Sequence, residues 1–322
     1  MVAAITALTL LAISTQPWQE TLDVAATPKA SLENMYSTYV PYASVLNTTG
    51  FHAFLDAVAQ PGANTSSPAL LLNAHNAFAL SLLANHACRH DLFGVCGVTT
   101  SVAHVGGWRH SYLHLHAGVL GGTRVSLADV QDRIRATVGV RAVAAAYLGT
   151  VSGPDLVPAA FDDAEIDAQL DASVLALLSN PTKGYALNRQ GMAVVFARVL
   201  KWARNDLPQR DVIAFAVPYI AQVSPDDAAF LVQHKDALSI SYFPYQPHIG
   251  GDLRPLCPQA SSRPCFTSWM AGLVAASLVF LMAATFGTWW FIIRPRRCCW
   301  ALGPRRYLPL DQQELEHLPL IN

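Results

Sequence analysis

The chain has 322 residues and is nearly neutral, with 21 Lys and Arg against 22 Asp and Glu and a formal net charge of −1 at pH 7. This balance gives no electrostatic footprint for nucleic acid, and the sequence contains neither a glycine-rich phosphate loop nor a nucleophile-elbow motif. We therefore expect no nucleic-acid partner and no cofactor.

The N-terminal residues have the features of a secretory signal. Residues 2–13 are mainly apolar, and Ala12-Ile13-Ser14 shows the small-x-small pattern of a signal peptidase site. Such a short stretch cannot cross a bilayer, which takes about 20 residues in a helix. We predict a signal peptide at residues 1–14 and a helical N-terminal segment at residues 15–67.

Two glycosylation sequons lie in this segment, because Asn47 and Asn64 each begin an Asn-x-Ser/Thr triplet. N-glycosylation requires entry into the secretory pathway. Asn47 and Asn64 are therefore predicted glycosylation sites of a lumenal or extracellular glycoprotein.

Hydrophobic periodicity and turn residues divide the central part of the chain into many helices and few strands. The predicted helices are residues 31–60 with a break at Pro41, 68–85, 126–137, 162–178, 192–205 and 226–234. The predicted strands are residues 112–118, 140–147 and 238–243, with a hairpin turn at Gly121-Gly122. The expected fold class is α+β and helix-predominant.

Short signatures in this region carry a resemblance. Residues 72–77 read Leu-Asn-Ala-His-Asn-Ala, and residues 200–207 read Leu-Lys-Trp-Ala-Arg-Asn-Asp-Leu. They resemble the Ile-Asn-x-Tyr-Asn-Ala and Phe-Lys-Trp-Tyr-x-x-Asp-Phe signatures of the domain-of-unknown-function family DUF547. Further segments resemble that family in the same chain order: residues 125–130, 158–171 and 240–245. The resemblance covers residues 68–248 and implies a DUF547-like domain without a known reaction.

The chain departs from that family at its most reactive positions. The family's Asn-Cys-Ala-Ser-x-Ser-Cys-Pro stretch corresponds to residues 145–154, which contain no cysteine. Its Glu-His pair is Gln131-Asp132 here, and Gln246-Pro247 replaces Asp-Trp after the last tyrosine. A thiolate nucleophile needs a nearby base, and neither group is retained. Absence of enzymatic activity is therefore the favoured interpretation.

Polar residues of the predicted helix 68–85 are weak candidates for a catalytic site: Asn73, His75 and Asn76, joined by Tyr245. Asn73 and Asn76 lie three residues apart and share a helix face. Their amides could orient a ligand or an oxyanion, or they could satisfy backbone groups where the helix packs.

Histidines raise two further hypotheses. His86 and His90 have the spacing of metal ligands, but no third ligand is evident, so no metal site is predicted. His110, His114 and His116 form a denser set that would suit a pH-sensing patch, since histidine titrates near the pH of acidic organelles. Exposed histidines without a function are the alternative.

A run without charged residues, 269–293, follows a Pro- and Ser-rich stalk at residues 249–268. As a helix this run would reach about 37 Å, enough to cross a hydrocarbon core of about 30 Å. Arginines follow it directly, which marks residues 294–322 as a cytosolic tail. The predicted fold class therefore includes one C-terminal transmembrane helix, in a type I single-pass protein.

The predicted tail contains two patterns that resemble sorting signals. Tyr307 and Leu310 fit a Tyr-x-x-apolar motif, and Glu316, Leu320 and Ile321 fit an acidic dileucine motif. Each would present apolar anchors on an extended peptide. Clathrin-adaptor-type proteins are therefore the predicted partners of the tail, besides the membrane itself.

Cysteine usage agrees with an oxidising compartment, where cysteines usually pair. The four that precede the predicted span are expected to form disulfides: Cys88, Cys96, Cys257 and Cys265. Their connectivity stays open among three possibilities, and short loops favour pairing within each close pair only slightly. The remaining two, Cys298 and Cys299, lie beside arginines and are predicted palmitoylation sites.

These features together predict a plasma-membrane or endosomal/lysosomal protein with a binding or scaffolding role. The alternative is a membrane-anchored hydrolase or transferase with a site around Asn73, His75 and Tyr245.

Overall fold

The computed structural model describes residues 13–25, 27–32, 34–91, 94–106, 111–207, 211–258 and 277–282. Two compact units are present. The first comprises Met1–Cys88 with Val98–Pro258, and the second comprises Arg89–Gly97 with Gln259–Asn322. The described residues form an α+β fold in which helix predominates, as the sequence predicts.

Ten α-helices are described in the first unit. They are α1 Gln16–Ala25, α2 Tyr42–Leu46, α3 Thr49–Ala59, α4 Pro68–Asn85, α5 Leu127–Val138, α6 Ala142–Ala145, α7 Ile166–Leu178, α8 Arg198–Trp202, α9 Val212–Val223 and α10 Pro225–Gln233. The described strands of both units are β1 Thr27–Leu32, β2 Met35–Tyr39, β3 Cys88–Asp91, β4 Gly94–Val98, β5 His116–Leu120, β6 Thr123–Ser126, β7 Tyr185–Asn188, β8 Ala193–Phe196 and β9 Ser239–Tyr242. Of these, β3 and β4 belong almost entirely to the second unit.

The described sheets are small. Pairs β1-β2, β3-β4 and β5-β6 form two-stranded sheets, and β7-β8-β9 forms a three-stranded one. In the latter, β8 pairs antiparallel to β7 and parallel to β9. The predicted turn at Gly121-Gly122 joins β5 to β6, and both glycines have the positive φ of 59° and 80° that a two-residue hairpin turn requires.

Helix α4 lies at the centre of the first hydrophobic core. Ser67 caps it by accepting a hydrogen bond from the Leu70 N–H at 2.9 Å, and Pro68 occupies its first turn, where no intrahelical donor is lost. Apolar residues surround the whole circumference of α4, so the helix is buried on nearly every side. Its polar residues Asn73 and Asn76 are thereby carried into the interior.

Several predicted elements have a different structure. Residues 140–147 are helical as far as Ala145, because an alanine-rich stretch favours helix over strand. The predicted helix 192–205 splits into β8 and α8, since the Val-Val-Phe run of β8 favours a strand. Residues 15–67 contain the hairpin β1-β2 besides three helices.

The predicted transmembrane helix is not borne out. No helix in the described part of the chain is both long and apolar enough to cross a membrane. Within residues 269–293 the structure describes 277–282, which are helical with exposed side chains and reach about 9 Å. The fold-class prediction was therefore wrong in this element. The rest of that run, residues 1–12 of the predicted signal and the predicted tail 294–322 lie outside the described residues.

One disulfide joins distant parts of the first unit. Cys88 pairs with Cys257 across 169 residues, with their Cα atoms 5.3 Å apart. Pairing within the close pairs, which loop closure slightly favours, does not occur for these two cysteines. The side chain of Cys96 and the whole of Cys265 lie outside what the structure describes.

Candidate functional site

Three predicted site residues, Asn73, His75 and Asn76, lie on α4 and are buried, with exposed fractions of 0%, 0% and 2%. A polar group buried at this level must find a partner inside the protein, because an unpaired one costs about 1–3 kcal/mol. Their partners therefore decide whether they can contact a ligand.

Asn73 binds one backbone segment with both ends of its amide. Its Nδ2 donates to the carbonyl oxygen of Phe161 at 2.9 Å, and its Oδ1 accepts from the Phe161 N–H at 2.9 Å. The amide thus donates to and accepts from the same residue's backbone, as a paired strand would. The two bonds attach the segment that precedes α7 to helix α4. These contacts favour the interpretation that Asn73 satisfies backbone groups where the helix packs, over the interpretation that it orients a ligand.

Asn76 likewise hydrogen-bonds to backbone groups, here at the end of α6 and in the loop that follows it. Its Oδ1 accepts from the Tyr147 N–H at 2.9 Å, and its Nδ2 donates to the Ala145 carbonyl at 3.2 Å. This loop corresponds to the stretch that carries cysteines in the resembled family. Its residues from Ala145 to Pro154 are buried.

Both ring nitrogens of His75 are engaged. Nδ1 lies 3.2 Å from Asn76 Oδ1, and Nε2 lies 3.1 Å from Gln131 Nε2. The pattern fits a neutral ring in which Nδ1–H donates to Asn76 and Nε2 accepts from the Gln131 amide. Burial lowers the pKa of His75 from 6.5 to about 4, while the hydrogen bond to Asn76 opposes this shift.

Tyr245 lies elsewhere, against Trp202. Their rings are 5.1 Å apart and inclined at 68°, an edge-to-face arrangement. Trp202 packs on the core of α7 to α10, and Tyr245 packs on the core around α4. Burial raises the pKa of Tyr245 above its ordinary value. Among the described hydrogen bonds and ring contacts, none joins Tyr245 to Asn73, His75 or Asn76.

Asp206 contacts the helix that carries the family's Glu-His position. Arg135 of α5 forms ion pairs with Asp206 and Asp132, each at 2.8 Å. The residue that replaces the family's histidine is therefore a partner of an arginine. Exposed pairs of this kind contribute about 0–1 kcal/mol, and they offer no nucleophile.

Sequence reasoning missed a buried lysine. Lys183 is 1% exposed and its Nζ donates to Asp155 Oδ1 at 2.9 Å, to Ser37 Oγ at 3.0 Å and to the carbonyls of Val151 and Gly153 at 3.1 and 2.8 Å. Asp155 also accepts from the Thr38 N–H at 2.8 Å. These contacts attach the buried loop to β2. The burial of Lys183 could not be predicted from the sequence, because no motif or hydrophobic periodicity distinguishes it from an exposed lysine.

The predicted histidine sites have mixed outcomes. His86 Nδ1 lies 2.8 Å from the Leu82 carbonyl oxygen, a contact within its own helix. The described residues contain no group of three metal-ligating side chains. His114 and His116 are exposed, whereas His110 lies outside the described residues.

The chemistry of this centre follows from its contacts. Asn73 and Asn76 hydrogen-bond to backbone segments. His75 hydrogen-bonds to Asn76 and Gln131, which leaves its ring no free lone pair for a substrate proton. These three residues of α4 therefore stabilise the packing of neighbouring segments on the helix. Comparison of the chain with protein-family models, curated proteins and solved structures finds no match.

Proposed function

We propose that this chain is a non-catalytic binding or scaffolding protein, with a DUF547-like domain at residues 68–248 that works in an oxidising compartment. The observation that carries the proposal is His75, which is fully buried with both ring nitrogens engaged. A general base must reach its substrate proton, directly or through one water. His75 reaches Asn76 and Gln131 instead.

The replaced positions support the same reading. Gln131 cannot ionise, so it offers His75 a hydrogen bond but no charge. Asp132 is paired with Arg135, and the loop that would carry the family's cysteines is buried and cysteine-free. Each group that could supply covalent or acid–base chemistry in the resembled family is thus replaced by a structural contact.

The compartment is inferred from the disulfide and the sequons. A disulfide between Cys88 and Cys257 persists where the environment is oxidising. Asn47 is exposed between α2 and α3, so a glycan there meets no packed neighbour. A lumenal or extracellular location accommodates both features. The sorting and palmitoylation predictions fall outside the described residues and stay predictions.

Two measurements on the full chain test the proposal. In the first, diethyl pyrocarbonate labels histidines near neutral pH and mass spectrometry maps the adducts. We expect His114 and His116 to react and His75 to stay unmodified. Labelling of His75 at the rate of the exposed histidines would show an accessible base.

The second measurement is a panel of ester, peptide and acyl-transfer substrates. We expect no turnover above buffer. Turnover that disappears in His75→Gln while the Tm stays unchanged would overturn the proposal and establish the hydrolase or transferase alternative.

A further inference from the structure

Residues 246–257, near the C-terminal end of the first unit, cross three segments that are distant from one another in the sequence. We call this stretch the strap. The three segments are the end of β2, the residues after β4 and the loop after α6. The bridging pairs are Val40 with Gly251, Ser101 with His248 and Thr150 with Ile249. The strap therefore lies across a loop, residues 149–153, that is buried.

Backbone hydrogen bonds hold the middle of the strap, and each of the three segments takes part in two of them. The bonds run from Val40 N–H to Gly250 O at 3.0 Å, from Asp252 N–H to Val40 O at 3.1 Å, and at 2.9 Å from Val102 N–H to Pro247 O, Ile249 N–H to Thr100 O, Val151 N–H to His248 O and Gly250 N–H to Gly149 O. Two bonds to a segment make an isolated bridge rather than a continuous ladder. Contacts of this kind open locally at a lower free energy than core strands and helices do.

The two ends of the strap are anchored by different means. Just before it, Tyr245 packs against Trp202 with their ring centroids 5.1 Å apart. At its other end, Cys257 forms the disulfide with Cys88, which follows α4. Among the described residues, this disulfide is the only covalent tie between the strap and another segment.

Order in the strap has an entropic cost, because every residue fixed in one backbone conformation loses conformational freedom. Its most buried aliphatic side chains, Ile249 and Leu253, are 7% and 2% exposed and belong to the core around α4. The disulfide lowers the entropic cost, because it keeps the end of an opened strap near its docked position. A strap without this tie is held by noncovalent contacts alone.

Two buried polar atoms at the contact between the strap and the loop lack a hydrogen-bond partner among the described residues. They are His248 Nδ1 on the strap and Thr150 Oγ1 on the loop. A buried polar group without a partner costs free energy, and this cost is recovered when water reaches the group. Because opening exposes both atoms to water, this contact is easier to open than a fully paired one.

We propose that reduction of the disulfide between Cys88 and Cys257 releases the strap and opens residues 149–153 to solvent. The reductant is a dithiol. One of its thiolates attacks the sulfur of Cys88, because Cys88 is half-buried whereas Cys257 is 3% exposed. Cys257 leaves as a thiolate and takes up a proton. The second thiol of the reductant then displaces Cys88, whose thiolate is protonated in turn. The reductant ends as a disulfide, and its two electrons have formed the two thiols.

The inference goes beyond the proposed function, because it depends on the strap and on none of the polar side chains of α4. Those side chains supply an internal control. Asn73 Oδ1 accepts from the Phe161 N–H at 2.9 Å, and Phe161 belongs neither to the strap nor to its three segments. This hydrogen bond should persist when the strap is released.

Hydrogen exchange of the full chain, resolved to single residues by mass spectrometry, tests the release with dithiothreitol as the reductant. In the oxidised protein we expect the amides of Ile249, Gly250 and Asp252 to be protected. After reduction they should exchange about tenfold or more faster, and the Phe161 amide should still be protected when they have exchanged fully.

The matched variant carries Cys88→Ser and Cys257→Ser together. It should show fast exchange of the strap without reductant, and dithiothreitol should change nothing further.

Unchanged exchange of the strap on reduction would mean that noncovalent contacts alone hold it, and would overturn the proposal. Exchange of the strap and Phe161 together, in the reduced protein or in the serine variant, would mean that the disulfide supports the whole fold, and would overturn it as well. So would further acceleration by dithiothreitol in the serine variant, because another disulfide would then control the strap.

Discussion

The Gln131 amide of α5 donates to Nε2 of His75 on α4 across 3.1 Å, which places an uncharged partner beside an uncharged ring. At these two positions the resembled family has glutamate and tyrosine. The pair joins two helices that pack closely. It also keeps His75 neutral, because an amide gives no electrostatic compensation for a buried positive charge.

The first prediction concerns stability in acid. The pKa of His75 in the folded protein, about 4, lies below its ordinary value of 6.5. The unfolded chain therefore takes up this proton first as pH falls. The contribution of His75, about 3 kcal/mol, is fully present above about pH 6.5 and is lost as pH falls to about 4. Urea unfolding across this range should show less pH dependence for His75→Gln. The exposed substitution Asn85→Gln on the same helix removes no ionisable group and should keep the original slope.

The second prediction concerns a negative charge introduced beside His75 at position 131. Gln131→Glu places a carboxylate where an amide donates, so Nε2 must carry a proton for a hydrogen bond to form. We expect the pKa of His75 to rise above about 4 by the attraction of the new charge. A side-chain NMR titration measures it. Asp132→Asn, which alters the adjacent exposed charge, should move the pKa of His75 much less. Equal effects would mean that Gln131 is not its partner.

The third prediction tests the scaffold role of Asn76. Its amide serves Tyr147, Ala145 and His75. Asn76→Ala leaves these buried groups unpaired and should lower the free energy of unfolding by about 3 kcal/mol or more. The control is Asn85→Ala at the exposed end of α4, which should cost less than about 1 kcal/mol. Similar losses in the two variants would contradict the assigned contacts.

The fourth prediction concerns the buried lysine. Lys183→Met removes the cation that neutralises Asp155 and donates to the Val151 and Gly153 carbonyls, so the loss in the free energy of unfolding should be about 3–5 kcal/mol. Lys235→Met removes the ion pair between an exposed lysine and Asp211 and should lower the free energy of unfolding far less than Lys183→Met does. Chemical denaturation measures both. A loss for Lys183→Met as small as the control's would show that Lys183 lies in contact with solvent.

The fifth prediction addresses connectivity. A non-reducing peptide map of the full chain should contain a cross-linked peptide with Cys88 and Cys257. Replacing both by serine should lower the free energy of unfolding by about 5 kcal/mol in the loop-entropy account. A Cys88–Cys96 peptide in the map would contradict the structure.

Local signals predicted much of the fold. The helix from Pro68 to Asn85 was predicted at its observed bounds, because its residues are mostly strong helix formers with few polar side chains among them. Ser126 was predicted to begin α5, and with Asp129 it forms a capping box. These elements depend on contacts within four residues, which a sequence displays directly.

The tertiary partners were not predictable in this way. Asn73 meets Phe161 at a separation of 88 residues, and Asn76 meets Tyr147 at 71. The sequence could place both amides on one face but could not name the backbone that they hold. Lys183 illustrates the same limit, since its burial results from four acceptors on two remote segments. The disulfide partner of Cys88 likewise depends on tertiary structure, because Cys257 is 169 residues away in the sequence.

The most direct test of the account is the ionisation of His75 in the intact protein, followed by NMR of its ring nitrogens. The account predicts a neutral ring protonated on Nδ1 that stays neutral from neutral pH down to about pH 4. A ring that titrates near 6.5 and shifts on addition of a small acyl substrate would contradict it, because His75 would then be an accessible base rather than a buried structural contact.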